Sequence, residues 1–124
     1  MPKIFEYRCD SCGFYLGTGW GEDMYVQDWN GKRIICPHPA EMKKVYEVLG
    51  ADASQELIEA RTGILTDCVC LDCLWKFNLD LGRDERKCPR CGSKRVETVL
   101  DMVGKKCPKC KTGTIVEIDT GAIS

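Results

Sequence analysis

Residues 74–81, LWKFNLDL, set Leu74, Lys76, Asn78 and Asp80 against Trp75, Phe77, Leu79 and Leu81. A period of two with one side wholly apolar is the pattern of a strand half-buried on a core. Upstream, MYVQDW and KRIIC flank Asn30-Gly31, a pair that tolerates the positive φ angles of a type I′ turn, so this stretch predicts a β-hairpin. Between these regions the period changes. Met42, Val45, Tyr46, Val48 and Leu49 recur at helical spacing from about residue 40, with Gly50 as a stop. Asp52-x-x-Gln55 has the form of a capping box for a short second helix holding Leu57, Ile58 and Ala60, ended by Gly63. Near the C-terminus, VETVL and TIVEI read as two further strands. No apolar run approaches the roughly 18 residues of a membrane span. The pattern is that of a small α+β chain with short antiparallel strands and one or two short helices between them. The final residues, TGAIS, are expected to be unordered.

Cysteine changes this picture most. Ten cysteines in 124 residues is a density at which a disulfide or metal scaffold becomes the default reading. The opening residues, MPKIFEYRC, lack the apolar stretch of a secretory signal, which predicts a cytoplasmic chain with reduced thiols and therefore metal. Four repeats of Cys-x-x-Cys occur, at Cys9/Cys12, Cys70/Cys73, Cys88/Cys91 and Cys107/Cys110. Such a turn spaces two sulfurs for one metal, and two turns complete a closed four-thiolate site of the structural zinc type. Cys70/Cys73 and Cys88/Cys91 have zinc-ribbon spacing, with the alternating strand between them. Iron is the alternative at this site, since CPRCG is also a rubredoxin-like knuckle.

The remaining ligands divide in two ways. In the first, the hairpin carries Cys36 beside the first knuckle, and Cys9, Cys12, Cys36 and His38 form a site of three thiolates and one imidazole. Cys107 and Cys110 then belong to a half-ribbon that draws on Cys68, with a carboxylate such as Asp67 or a group on another chain as fourth ligand, giving three zinc ions. In the second, Cys9/Cys12 close with Cys107/Cys110, clasping the two ends of the chain, and Cys36 and Cys68 are ordinary buried thiols. The count is therefore two or three Zn2+. The modules follow the chain in order: a knuckle and hairpin over 1–39, a helical connector over 40–63, a central ribbon over 64–104, and a half-ribbon with tail over 105–124.

Charge adds a local feature. The net charge is −1, but residues 83–111 hold ten basic and four acidic side chains. A formal −2 on each four-thiolate zinc offers a sink for this excess; a nucleic-acid footprint is the competing reading, though such domains are usually basic overall. No Gly-rich phosphate loop, nucleophile elbow or HExxH is present, so no catalytic residue is assigned. Phe14, Tyr15, Trp20, Tyr25 and Trp29 crowd five of ten aromatic residues into the N-terminal hairpin region, more ring area than so small a core is expected to cover.

FEYRCDSCG resembles the start of small regulatory zinc-ribbon proteins. Over the whole chain, YRCDSCG, RIICPHPAE, DCVCLDC and CPRCG are similar to the small cysteine-rich subunits of hydantoinase-type ATP-dependent ketone carboxylases, acetophenone carboxylase among them. That resemblance implies a non-catalytic zinc-binding accessory subunit of a larger cytoplasmic ligase complex, partnered by larger protein chains and by no membrane. The alternatives are a zinc-ribbon regulator binding nucleic acid, and an iron electron carrier.

Overall fold

The two ends of the chain pair with each other. A computed structural model describes residues 3–123. In it β1 (Lys3–Cys9) runs antiparallel to β8 (Ile115–Ile123), with Phe5 opposite Asp119 and Cys9 opposite Ile115. On the other side of β1 lies β2 (Tyr15–Gly19), also antiparallel, giving the order β2-β1-β8. Tyr7 and Cys9, two residues apart on β1, are buried, as the period-two rule requires of one sheet face. They join Leu16, Val69, Val99, Met102, Cys107 and Ile115 in one apolar cluster. The expected unordered tail is instead strand: Thr120 donates its hydroxyl to the Ile4 carbonyl at 2.6 Å, and β8 continues to Ile123. Ser124 lies outside the described residues.

The chain divides into two compact units rather than modules that follow one another in sequence. One comprises the N-terminal segment up to Gly21 with everything from Thr66 onward; the other is Glu22–Leu65. In the first unit, the later half of β5 (Thr62–Cys70) is flanked by two antiparallel neighbours. β6 (Lys76–Leu79) pairs Cys68 with Phe77, and β7 (Val96–Thr98) pairs Cys68 with Thr98. β7 does not run on through VETVL. Thr98 caps a single helical turn, α3 (Val99–Met102), by accepting the Asp101 amide at 3.1 Å.

The second unit contains the predicted hairpin, β3 (Glu22–Gln27) with β4 (Arg33–Ile35), in which Val26 faces Ile34. Its turn is wider than type I′. Gly31 has φ 83°, but Asn30 does not take a positive φ. Instead the Asp28 carboxylate accepts the amides of Asn30 and Lys32, both at 2.9 Å, a side-chain turn that lets the glycine alone adopt the left-handed conformation. α1 (Glu41–Leu49) buries Val45 and Leu49 against Val26 and Cys36, but leaves Met42 and Tyr46 exposed. α2 (Gln55–Arg61) adds Ile58 to this core. Its cap is Ser54, whose hydroxyl accepts the Leu57 amide at 3.1 Å, and not Asp52. Thr62 already begins β5, so the helix ends before Gly63.

Ser54→Ala is therefore expected to cost about 1 kcal/mol of stability in chemical denaturation, and Asp52→Ala to change it little. Equal losses in the two variants would contradict the assigned cap.

Candidate metal centres

Each Cys-x-x-Cys knuckle is built in the same way. The residue after the second cysteine turns left-handed, with φ 75° at Gly13, 65° at Leu74, 78° at Gly92 and 65° at Lys111. Its amide bonds back to the carbonyl of the first cysteine, at 3.2, 2.9, 3.0 and 3.0 Å respectively. Two of these positions carry the glycine that such a turn favours; Leu74 and Lys111 do not, and hold a conformation that costs L-residues about 1–2 kcal/mol. The turn also explains where the alternation of residues 74–81 fails. Leu74 belongs to the knuckle, so the strand starts at Lys76. Phe77 and Leu79 pack on the Cys68, Cys70, Cys88 and Val96 cluster, while Trp75 and Leu81 are exposed.

The knuckles converge in two pairs. Cys70, Cys73, Cys88 and Cys91 form one group, and Cys9, Cys12, Cys107 and Cys110 the other, with all four sulfurs of each within 4.8 Å of one another. The sulfur–sulfur distances are 3.5 Å for Cys70–Cys91, 3.6 Å for Cys73–Cys88, 3.6 Å for Cys9–Cys110 and 3.8 Å for Cys12–Cys107. A tetrahedron of sulfurs at the zinc–sulfur distance of about 2.3 Å has edges of about 3.8 Å. Disulfides need about 2.05 Å, and every cysteine is a free thiol. Zinc fits both groups, and iron fits the same donor set. Four thiolates fill a tetrahedron, so neither group keeps a ligand position open for substrate.

The first group is the ribbon that the spacing predicts. The second is the terminal clasp, so the three-site division does not match the structure. β1 ends at Cys9 directly opposite Ile115, and Asp10 fixes the register of the two knuckles: its carboxylate accepts the Thr114 amide at 2.9 Å, and its own amide donates to the Thr114 carbonyl at 2.9 Å. Gly113 is buried there, and only glycine fits, because a Cβ would collide with the Cys9 sulfur. Neither residue is marked by a motif; the pairing of TIVEI with the opening strand was the signal available. Cys36, His38 and Cys68 stand in neither group among the described residues. Cys36 is buried in the second unit beside Val26 and Val45. His38 Nδ1 lies 2.7 Å from the Glu41 carboxylate, a contact that holds the Glu41 pKa down. Cys68 donates to the Thr66 carbonyl at 3.4 Å, and burial pushes its thiol up to about 11.

Backbone amides point at the sulfurs of both groups. Ser11 and Cys12 donate to Cys9 at 3.3 and 3.4 Å, Lys109 to Cys107 at 3.4 Å, Cys73 to Cys70 at 3.4 Å and Arg90 to Cys88 at 3.4 Å. Such donors favour the thiolate. The amides of Thr112 and Gly113 bring Cys110 down to about 5. At Cys12 the Phe14 amide also lowers the pKa, but desolvation and the neighbouring thiols prevail and push it up to about 11. Cys91 rises to about 12 in the same way, against the Ser93 amide. Comparison with protein-family models, with curated proteins and with solved structures finds no match.

Elemental analysis is expected to find two metal ions per chain, unchanged in Cys36→Ser and Cys68→Ser. Gly113→Ala should lower the count toward one. A count of three, falling to two in either serine variant, would contradict the clasp.

Without metal, Cys12 and Cys91 keep their protons at neutral pH, whereas metal binds the thiolate. Loading should therefore release protons, and affinity should fall as pH falls. Metal uptake without acidification of a weakly buffered solution would contradict these assignments.

Proposed function

We propose that this chain is a non-catalytic, zinc-stabilised accessory subunit of a larger enzyme complex, a protein-binding module in its own right. The observation that carries this reading is Trp29, which is 59% exposed at the tip of the β3–β4 hairpin. The Arg61 guanidinium lies 4.3 Å from its ring centre and donates to the Asp28 carbonyl at 2.8 Å, which holds the hairpin tip and its indole in a fixed presentation. In the same unit Ile35, Met42 and Tyr46 are exposed, the last two one turn apart on α1. Tryptophan and tyrosine displayed on a rigid support are the side chains protein interfaces favour. The hairpin does not leave all its rings outside: Tyr25 is fully buried, with Arg33 at 4.8 Å from its ring centre.

Metal in this reading is scaffold. Two closed four-thiolate sites supply folding free energy to a chain with small apolar clusters and offer no open position for a reacting group. The similarity of YRCDSCG, RIICPHPAE, DCVCLDC and CPRCG to the small subunits of ATP-dependent ketone carboxylases supplies the class of partner: larger cytoplasmic chains that bear the ATP and ketone sites.

Co-expression with the products of its neighbouring genes should yield a complex that survives high salt, since burial of apolar surface is not screened. Trp29→Ala and Tyr46→Ser should weaken that complex with metal content unchanged. A monodisperse monomer that acquires none of these products would contradict the proposal, salt-sensitive binding of nucleic acid by that monomer would favour a regulator, and a red, iron-loaded protein would transfer the case to electron transfer.

A further inference from the structure

The ten cations of residues 83–111 are not spread evenly over the two metal groups. Arg83 pairs with Asp80 at 3.2 Å, Arg95 with Asp72 at 2.5 Å, and Arg86 and Lys105 with Glu97 at 3.6 and 3.7 Å. Arg90 lies over the Trp75 ring at 5.0 Å and Lys109 over Phe14 at 5.8 Å. Among the described residues, Lys87, Lys94 and Lys106 make no ion pair or ring contact, and Lys111 stands close enough to the Asp72 carboxylate to help hold its pKa down, without a direct ion pair. Lys106 and Lys111 line one cavity of about 300 Å³ in the first unit, together with Arg95 and Lys105. Glu97 is the one carboxylate in its wall, and Leu71, Met102 and Pro108 supply apolar surface.

The cavity is shaped by both metal sites. Leu71 lies between Cys70 and Cys73, and its amide donates to the Arg95 carbonyl at 2.8 Å, tying that wall to the ribbon. Cys107, Pro108 and Lys111 belong to the last knuckle. Lys111 occupies the left-handed knuckle position, so its backbone is fixed by the turn that binds metal. Balancing thiolate charge does not require this grouping, because the sulfurs already receive backbone donors and cations elsewhere in the stretch have carboxylate or ring partners.

We propose that this cavity binds a small phosphorylated ligand, a phosphate monoester of nucleotide size, independently of any partner subunit. Four cations against one carboxylate in the lining, with Lys106 and Lys111 outside any direct ion pair, match a dianion with three acceptor oxygens. The apolar wall takes the rest of the molecule, and the volume stands at the lower end for small-molecule sites. A nucleic-acid strand fits less well. Four of the ten cations are gathered in one pocket and most of the others are held by carboxylates or rings, and two four-thiolate divalent sites make the chain's net charge more negative than −1.

The test uses the intact metal-loaded chain, with inorganic phosphate, adenosine monophosphate and a short single-stranded oligonucleotide as probes. Amide NMR of the unsubstituted protein should show adenosine monophosphate perturbing Leu71, Arg95, Met102, Lys106 and Lys111, with phosphate perturbing the same basic residues more weakly. Lys106→Gln with Lys111→Gly should weaken nucleotide binding about tenfold or more, the scale of losing charge-assisted hydrogen bonds. Glycine at position 111 suits the left-handed turn, so metal content should hold. Absence of perturbation in the unsubstituted protein would overturn the proposal, as would equal affinity in the variant. Binding of the oligonucleotide with no response to the mononucleotide would overturn it in favour of a strand.

Discussion

Sulfur atoms 3.5–3.8 Å apart in groups of four cannot all be charged without a cation among them. Unit charges at that spacing repel by roughly 4 kcal/mol per pair even at an effective dielectric of 20. The convergence of Cys9 and Cys12 on Cys107 and Cys110 is thus stable as thiolate only around metal, and this convergence joins the first strand to the last. Pairing of β1 with β8, burial of Tyr7 and Ile115, and the close approach of Gly113 to Cys9 all lie against it. The ribbon repeats the arrangement around Cys70 and Cys88, with Phe77 and Leu79 packed against the sulfur-bearing strand.

The second unit reaches order by other means. It has no four-thiolate group among the described residues; Val26, Cys36, Val45, Leu49 and Ile58 form its core, and Asp28 and Ser54 satisfy the amides of a turn and a helix start. A core of this size is close to the lower limit for a chain of 44 residues. It carries its aromatic display on a hairpin whose tip is braced by Arg61, and that display is what the proposal of a protein partner rests on.

The α+β class, the ribbon, the hairpin and both connector helices were legible because each rests on local spacing. The clasp was legible only as one of two divisions, since nothing local distinguishes Cys107 as a partner for Cys9 from Cys36. What decides between them is the long-range pairing of β1 with β8 and the burial of Cys36 in another core. Cys68 misled by proximity: two residues before Cys70 on a strand it lies within the apolar cluster, bonded to its own backbone neighbour. Trp75 and Leu81 were expected in the core because period two was extended through a knuckle at one end and past the end of β6 at the other. Asp52 was expected as a cap because it begins a capping-box pattern, but Ser54 stands immediately before the first helical residue.

The cation cluster shows what three-dimensional placement adds to composition. Ten basic residues in one stretch suggested either charge balance or a polyanion track. Carboxylate and ring partners remove most of them from both accounts, and four, Arg95, Lys105, Lys106 and Lys111, line one cavity. The most direct test of the account is cadmium NMR on protein loaded with cadmium-113. Scalar couplings should connect the β-protons of Cys9, Cys12, Cys107 and Cys110 to one ion, and those of Cys70, Cys73, Cys88 and Cys91 to a second. Coupling of Cys9 and Cys12 to an ion shared with Cys36, or of Cys107 and Cys110 to an ion shared with Cys68, would contradict it.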